Sequence, residues 1–286
     1  MASLKEVKGR INSVNSTRKI TSAMKMVASS KLHKAQQAIE NLRPYRNQLS
    51  DMLSRFLGAE QSIDSPFVEE RKVERVAIVV CASNSSLCGG FNANVIKHLT
   101  KTIDAYKPLG DENIEVYAIG RKVADASSKL GFPSKGDYTS LADKPNYKQA
   151  SELAAMLMKR YVDGEIDKVV LIYNHFKNTG TQILTEEVFL PLELASPAKG
   201  ETQIDYIVEP SVPEVITSLL PKVLHLKVYT ALLDSNASEH AARTTAMQIA
   251  TDNADDLLQE LTLTYNKTRQ QAITMELLDI VGGSMK

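Results

Sequence analysis

Glycine is missing from two long stretches of this 286-residue chain, and that absence constrains the architecture more than any other feature. Ten of the thirteen glycines fall between Gly58 and Gly200; only Gly9 precedes them, and none lies between Ser211 and Val281. A glycine inside a helix costs about 1 kcal/mol relative to alanine, so its exclusion predicts long unbroken helices at both ends. Apolar spacing agrees. Leu4, Val7, Ile11, Val14, Ile20, Met24, Val27, Ala35, Ile39, Leu42, Leu49, Leu53 and Phe56 follow steps of three and four or their sums. Leu233, Ala237, Ala241, Thr244, Met247, Ala250, Ala254, Leu257, Leu261, Tyr265, Ala272, Met275 and Ile280 do the same. The alanines of this second stripe let a partner helix approach closely. A stripe kept over so many heptads outruns a single globular core and points to a coiled coil. At the helical rise, each segment would span roughly 80 Å, so the ends read as a rod. Pro44 and Pro221 are the candidate interruptions, and Pro221 is expected to kink or restart a last helix opened by Ser211-Val212-Pro213-Glu214.

The middle is a different kind of sequence. Val73–Ala82 and Lys168–His175 are apolar, β-branched runs suited to buried parallel strands, and Asn113–Ile119 is a further strand. Helical patterns cover Asn92–Tyr106, Arg121–Leu130 and Tyr147–Tyr161, and Gln182–Leu190 is placed to pair antiparallel after the turn at Asn178-Thr179-Gly180. This alternation predicts a small α/β domain with a mostly parallel sheet. The expected organisation is a helix over 1–60, an α/β domain over 73–190, a connector over 191–210 and a helix over 211–286.

Charge sums to zero, 34 basic against 34 acidic residues, but unevenly. The first 46 residues carry ten Lys or Arg against Glu6 and Glu40, whereas residues 234–286 carry eight acidic groups and four basic ones. Basic and acidic ends either attract each other or face outside partners. A hydrophobic content of 43% with 24% charged residues excludes a disordered chain. The longest purely apolar runs, such as Val76–Ala82, are too short for a bilayer, and the first residues resemble neither a signal nor a transit peptide. Cys81 and Cys88 form no disulfide framework, so a reducing cytoplasm is the expected compartment.

Candidate chemistry is thin. Leu87-Cys88-Gly89-Gly90-Phe91-Asn92 follows the first strand, where a phosphate-binding turn would lie, but it has neither G-x-G-x-x-G spacing nor Gly-Lys-Ser/Thr. Gly120-Arg121-Lys122 offers only a weak match to a 2′-phosphate clamp, which leaves an NADP-dependent oxidoreductase with a helical dimerisation arm as the alternative reading. His33, His98, His175, His225 and His240 are scattered without metal-ligand spacing, and Cys81 reads as buried packing. No cofactor and no catalytic residue is expected. The basic first helix lacks the aromatic interleaving of a nucleic-acid binder, so no nucleic acid is expected either.

Long blocks at both ends are specific. Ser3-Leu4-Lys5-Glu6-Val7, Ile11-Asn12-Ser13-Val14 and Thr17 through Ala28 resemble the start of the gamma subunits of rotary (F-type) ATP synthases. Ser238 through Arg243, Ala250-Thr251-Asp252-Asn253-Ala254 and Leu261 through Leu277 resemble their finish, and Leu87 through Asn92 their central motif. One departure stands at Asn84-Ser85-Ser86, where that family usually has an Asp, a basic residue and Gly. The cysteine insertion of chloroplast relatives has no counterpart, which favours the bacterial type.

The resemblance implies an antiparallel coiled coil of the terminal helices beside a Rossmann-like α/β domain. It implies a central rotor, turned by a proton-driven membrane ring, that cycles the catalytic sites of the beta subunits by shape and has no catalytic residues itself. Implied partners are the alpha and beta subunits, an epsilon-type subunit and the membrane ring, on the cytoplasmic face of the bacterial inner membrane, with the chain peripheral and not spanning it. Met24, Arg243, Arg269, Gln270 and Thr274 match positions that contact alpha and beta subunits. Leu277, Leu278, Ile280 and Val281 match an apolar tip turning in a bearing, and Tyr206 and Glu209 lie near the foot that meets the ring.

Overall fold

A computed structural model describes residues 3–59, 65–192, 208–209 and 211–284. Among the described residues six α-helices and four strands, with two short 3-10 turns at Lys107–Leu109 and Asp111–Asn113, follow in the order α1 (Leu4–Ala59), β1 (Val76–Cys81), α2 (Phe91–Tyr106), β2 (Ile114–Ile119), α3 (Arg121–Lys129), α4 (Thr139–Asp143), α5 (Tyr147–Val162), β3 (Lys168–Asn178), β4 (Thr181–Leu190) and α6 (Val212–Ser284). Contacts divide the chain into two units, residues 30–242 and residues 1–29 with 243–286.

In the first unit the sheet order is β2-β1-β3-β4. β1 is parallel to both β2 and β3, and β4 closes the edge antiparallel to β3. Alternation along β1 sorts its side chains between two cores. Val76, Ile78 and Val80 meet Val95, Leu99 and Ile103 of α2 and Val123 of α3. Ala77, Val79 and Cys81 face the other way, onto Leu153, Leu157 and Tyr161 of α5 and onto Leu224, Val228 and Leu232 of α6. The last helix is therefore a layer of the α/β sandwich. It also packs antiparallel on α1, with Leu49, Leu53 and Phe56 against Ile216, Leu219, Leu220 and Leu226. Further along, Leu32 and Ala35 meet Ala237 and Ala241. Every residue from Ala231 to Ala241 is buried, as expected of a helix with neighbours on all sides. Small side chains at Ala231, Ser235, Ala237, Ser238 and Ala241 make that enclosure sterically possible.

Three sequence expectations change. Pro44 and Pro221 both lie inside unbroken helices, so Pro221 does not restart α6. Ser211 Oγ instead donates to Glu214 Oε1 at 3.1 Å where the helix begins. By length and composition, α6 contains a window apolar enough for a bilayer, with mean hydropathy 1.2, which the short apolar runs did not suggest. The window is 44% buried, and the helix covers the sheet as a core helix does. The third change concerns register. Along α1 the inward face runs Val7, Val14, Thr21, Ala28, Ala35, Leu42, Leu49, Phe56, a strict seven-residue repeat of buried or half-buried positions. Ile20 and Val27, assigned to the stripe from sequence, point outward and are 60% and 59% exposed. A 3.5-residue period keeps one seam inward, and Thr21 and Ala28 hold the positions that steps of three and four had given to their larger neighbours.

Candidate functional site: the paired terminal helices

The unit formed by residues 1–29 and 243–286 is a helix pair and little else. Its register is set by two contacts: Arg18 Nη1 donates to Asp255 Oδ1 at 2.9 Å, and the hydroxyls of Thr21 and Thr251 share a bond of 2.8 Å. The antiparallel sense places Leu4, the first residue of α1, level with about residue 268 of α6. Burial ends there. Met247 and Ala254 are buried and Leu261, Tyr265 and Thr268 half-buried, whereas each residue from Arg269 to Gly283 is exposed. Met275, Leu277, Leu278, Ile280 and Val281 are 69%, 57%, 65%, 63% and 53% exposed among the described residues, an apolar helix end at the surface.

The sequence-predicted contact residues do not form one cluster. Arg269, Gln270 and Thr274 share the exposed end of α6, where Thr274 Oγ1 donates back to the Gln270 carbonyl at 2.9 Å. Arg243 lies on the same helix roughly 40 Å from Arg269 along the axis. It is only 9% exposed, a buried position on the helix. Met24 is half-buried on α1, opposite the Gln248 region of α6 and roughly 30 Å from Arg269. Glu209 is exposed just ahead of α6, and Tyr206 lies outside the described residues. A second outward set, Ile20, Met26 and Val27, is exposed beside Met24 among the helix's lysines. Its signal was an apolar residue one position off the heptad.

The turn after β1 has the geometry of packing. Asn92 Oδ1 accepts from the Ser83 N–H at 3.1 Å and from Ser83 Oγ at 2.9 Å, and Asn92 Nδ2 donates to the Ser85 carbonyl at 3.2 Å. Asn84 spans outward: its Oδ1 accepts from the Arg121 N–H at 2.8 Å and its Nδ2 donates to the Thr139 carbonyl at 2.8 Å. Asn84, at the departure Asn84-Ser85-Ser86, thus makes neutral bonds to the start of α3 and to α4. At Gly120, with φ +112°, a Cβ would stand 2.2 Å from the Ala82 carbonyl oxygen. That glycine is required for strand-to-turn contact rather than for a phosphate clamp. Cys81 is 5% exposed in β1, and burial pushes its thiol pKa up to about 12, unsuited to a nucleophile.

One pair looks catalytic in isolation. His175 Nδ1 lies 2.6 Å from Asp234 Oδ2, joining β3 to α6. Burial pushes the Asp234 carboxyl above its ordinary value, against the pull of His175 and Arg46. Among the described residues no Ser or Cys hydroxyl or thiol is bonded to His175, and the bond links the sheet to the helix.

The ATP synthase family profile matches residues 3–285. The ATP synthase gamma chain of Phocaeicola vulgatus is 64% identical over the full length of both chains, and that of Bacteroides fragilis 60%, again over both in full. Among solved structures, a chain of the Euglena gracilis mitochondrial ATP synthase in rotational state 3 aligns with a TM-score of 0.63. It is 19% identical and covers 99% of this chain and 93% of its own. A central stalk and c-ring structure from Tetrahymena thermophila contains a chain 23% identical, with TM-score 0.57, covering 81% of this chain and 99% of that one. These two share the fold; the close relatives decide the family, and nothing in them supports the oxidoreductase alternative. The chain belongs to the ATP synthase gamma-chain family, as a non-catalytic rotor-stalk subunit of that complex.

Proposed function

We propose that this chain turns inside a hexamer of alternating alpha and beta subunits, with its helices over 1–60 and 211–286 as the shaft. The α/β domain over 73–190 and the connector over 191–210 form the lower body, which meets an epsilon-type subunit and the membrane ring near Tyr206 and Glu209. The complex sits on the cytoplasmic face of the bacterial inner membrane, and this chain is peripheral to it. Leu277, Leu278, Ile280 and Val281 run in an apolar collar. Arg243, Arg269, Gln270 and Thr274 make directional bonds to alpha and beta loops at particular rotor angles, and Met24 faces a beta-subunit segment. No cofactor takes part.

The observation that carries this reading is the end of α6, where fifteen successive residues from Arg269 to Gly283 are exposed and the apolar ones are large. Exposed apolar area of that kind marks a surface that a partner covers. Shape then does the coupling. Each rotor angle offers a different face, and a beta-subunit conformation is favoured only by as much as that face binds it better than the others. A tagged pull-down from gently solubilised membranes, read by native mass spectrometry, should return one copy of this chain with three alpha and three beta subunits and with ATPase activity. A free monomer or homodimer would overturn the reading.

A further inference from the structure

Apolar packing alone would let α6 slide or roll against the sheet, because burial has no preferred direction. Between Lys227 and Ser238 the helix is also held by directional bonds to three other elements. Lys227 Nζ donates to the Val188 carbonyl of β4 at 2.9 Å. His175 Nδ1 of β3 lies 2.6 Å from Asp234 Oδ2. Ser238 Oγ donates to the Asn174 carbonyl of β3 at 3.0 Å, and Asn236 Nδ2 to the Ala142 carbonyl of α4 at 2.8 Å.

Two features separate these bonds from ordinary helix decoration. Thr217, Thr251, Thr262 and Thr274 of α6 each donate to the carbonyl four residues back in their own helix. Ser238, fully buried, donates across to the strand instead. The second feature is placement. At the helical repeat, Lys227, Asp234 and Ser238 lie within about 40° of one another, on the face toward the β3–β4 hairpin, whereas Asn236 lies about 180° from Lys227. The helix is thus gripped from opposite sides over roughly 16 Å of its length. α4, which supplies the opposite grip, is itself tied to the turn after β1, where Asn84 Nδ2 donates to the Thr139 carbonyl at 2.8 Å.

We propose that Ser238 and Asn236, with the His175–Asp234 pair, are positioning residues that fix the rotation of α6 about its own axis relative to the α/β domain. The proposal rests on the rotor reading above. In a rotor, torque applied to the α/β domain enters α6 through the contacts between them, and a helix held on one face yields to twist more than one held on two. Bonds on opposite faces oppose rotation in either sense, because each must bend as the helix turns and a hydrogen bond weakens steeply when bent. These side chains act through the helix they hold, by keeping its outward face at the angle that the α/β domain dictates.

The test is a single-molecule measurement on the intact complex, with the catalytic hexamer fixed to a surface and a rod attached to the α/β domain. The quantity read is the angular variance of the rod during each dwell at low ATP. Ser238→Ala with Asn236→Leu removes two of the four bonds and keeps both sites filled. It should raise the variance about twofold, as halving a set of parallel restraints does. Leu99→Ala, in the core between α2 and the sheet, destabilises the chain without touching α6 and should leave the variance unchanged. If the double variant fails to assemble, Ser238→Ala carries the test alone, with a smaller widening expected. Unchanged variance in the variant tested, or an equal widening in Leu99→Ala, would overturn the proposal and leave the rotor reading standing. A natural complex whose rod does not turn with ATP would overturn the rotor reading, and the proposal with it.

Discussion

The two ends of α6 are alike in composition and opposite in surroundings. From Ile216 to Ala241 the helix packs on the sheet and on α1, and Leu220, Leu224, Ala237 and Ala241 are fully buried. From Arg269 onward the same helix is bare, with Leu278 65% exposed. Apolar content alone does not distinguish a core helix from one awaiting a partner; what does is whether this chain supplies a covering element. For the first stretch it supplies two. For the last, no element among the described residues does so, because α1 begins level with about residue 268.

The sharpest way to break that contrast is one leucine from each end. Leu220→Ala should destabilise the chain by roughly 2–5 kcal/mol, the lost transfer energy plus the cavity it leaves. Leu278→Ala should change stability by about 0.5 kcal/mol or less, as exposed sites do. Denaturant unfolding measures both. Equal effects would mean that the exposed end is covered within the chain after all.

Asp167 tests the buried region through charge. Its side chain is 6% exposed and accepts from the backbone N–H groups of Glu74 and Arg75 at 3.1 and 2.9 Å. Burial alone would raise its pKa, but those donors and the Arg75 guanidinium hold it below the ordinary carboxylate value. Asp167→Ala should cost roughly 1–3 kcal/mol at neutral pH, since two N–H groups lose their acceptor. A depressed pKa stabilises the fold above the unfolded value, about 3.9, and that stabilisation fades as pH falls through the folded value. The deficit of the variant against the natural chain should therefore shrink below about pH 4. A deficit constant down to pH 2 would sink this account.

Much of the architecture was legible in sequence, for identifiable reasons. β1, β2, α2, α3 and α5 appear within a few residues of their apolar patterns. α4 was not visible because Thr139–Asp143 is too short to show a period. The second role of α6 was hidden more deeply. A stripe records that a face is covered but not by what, and Ala237 and Ala241 look the same beside a coiled-coil partner as inside a sandwich. Register was misread at Ile20 and Val27, where side-chain size outweighed the strict repeat that Thr21 and Ala28 continue. Of the candidate site residues, Arg269, Gln270, Thr274 and the apolar tip are exposed. Arg243 is buried, which no spacing argument reveals.

Thr21 offers a smaller test within the terminal helix pair. Thr21→Val keeps the shape and removes one hydroxyl from the bond to Thr251. The cost should be about 1 kcal/mol, and Thr21→Val with Thr251→Val should cost less than the two single changes together. A fully additive double variant would show that the bond does not set the register.

The smallest expected effect on stability is the one with the largest consequence for the complex. Met24 is half-buried on a basic helix, beside the exposed Ile20 and Val27. Met24→Lys leaves a helix-compatible side chain whose long stem still covers the same surface, so unfolding should shift by about 0.5 kcal/mol or less. Against a partner segment the change is different in kind. A new cation beside Lys25 either pairs with a facing carboxylate and holds one rotor angle too tightly, or is desolvated unpaired and disfavours it. Both distort the differential binding by which rotation selects a conformation, so protons pumped per ATP hydrolysed should fall while hydrolysis continues. Unchanged pumping at unchanged stability would remove Met24 from the working surface of the shaft and leave it a packing residue.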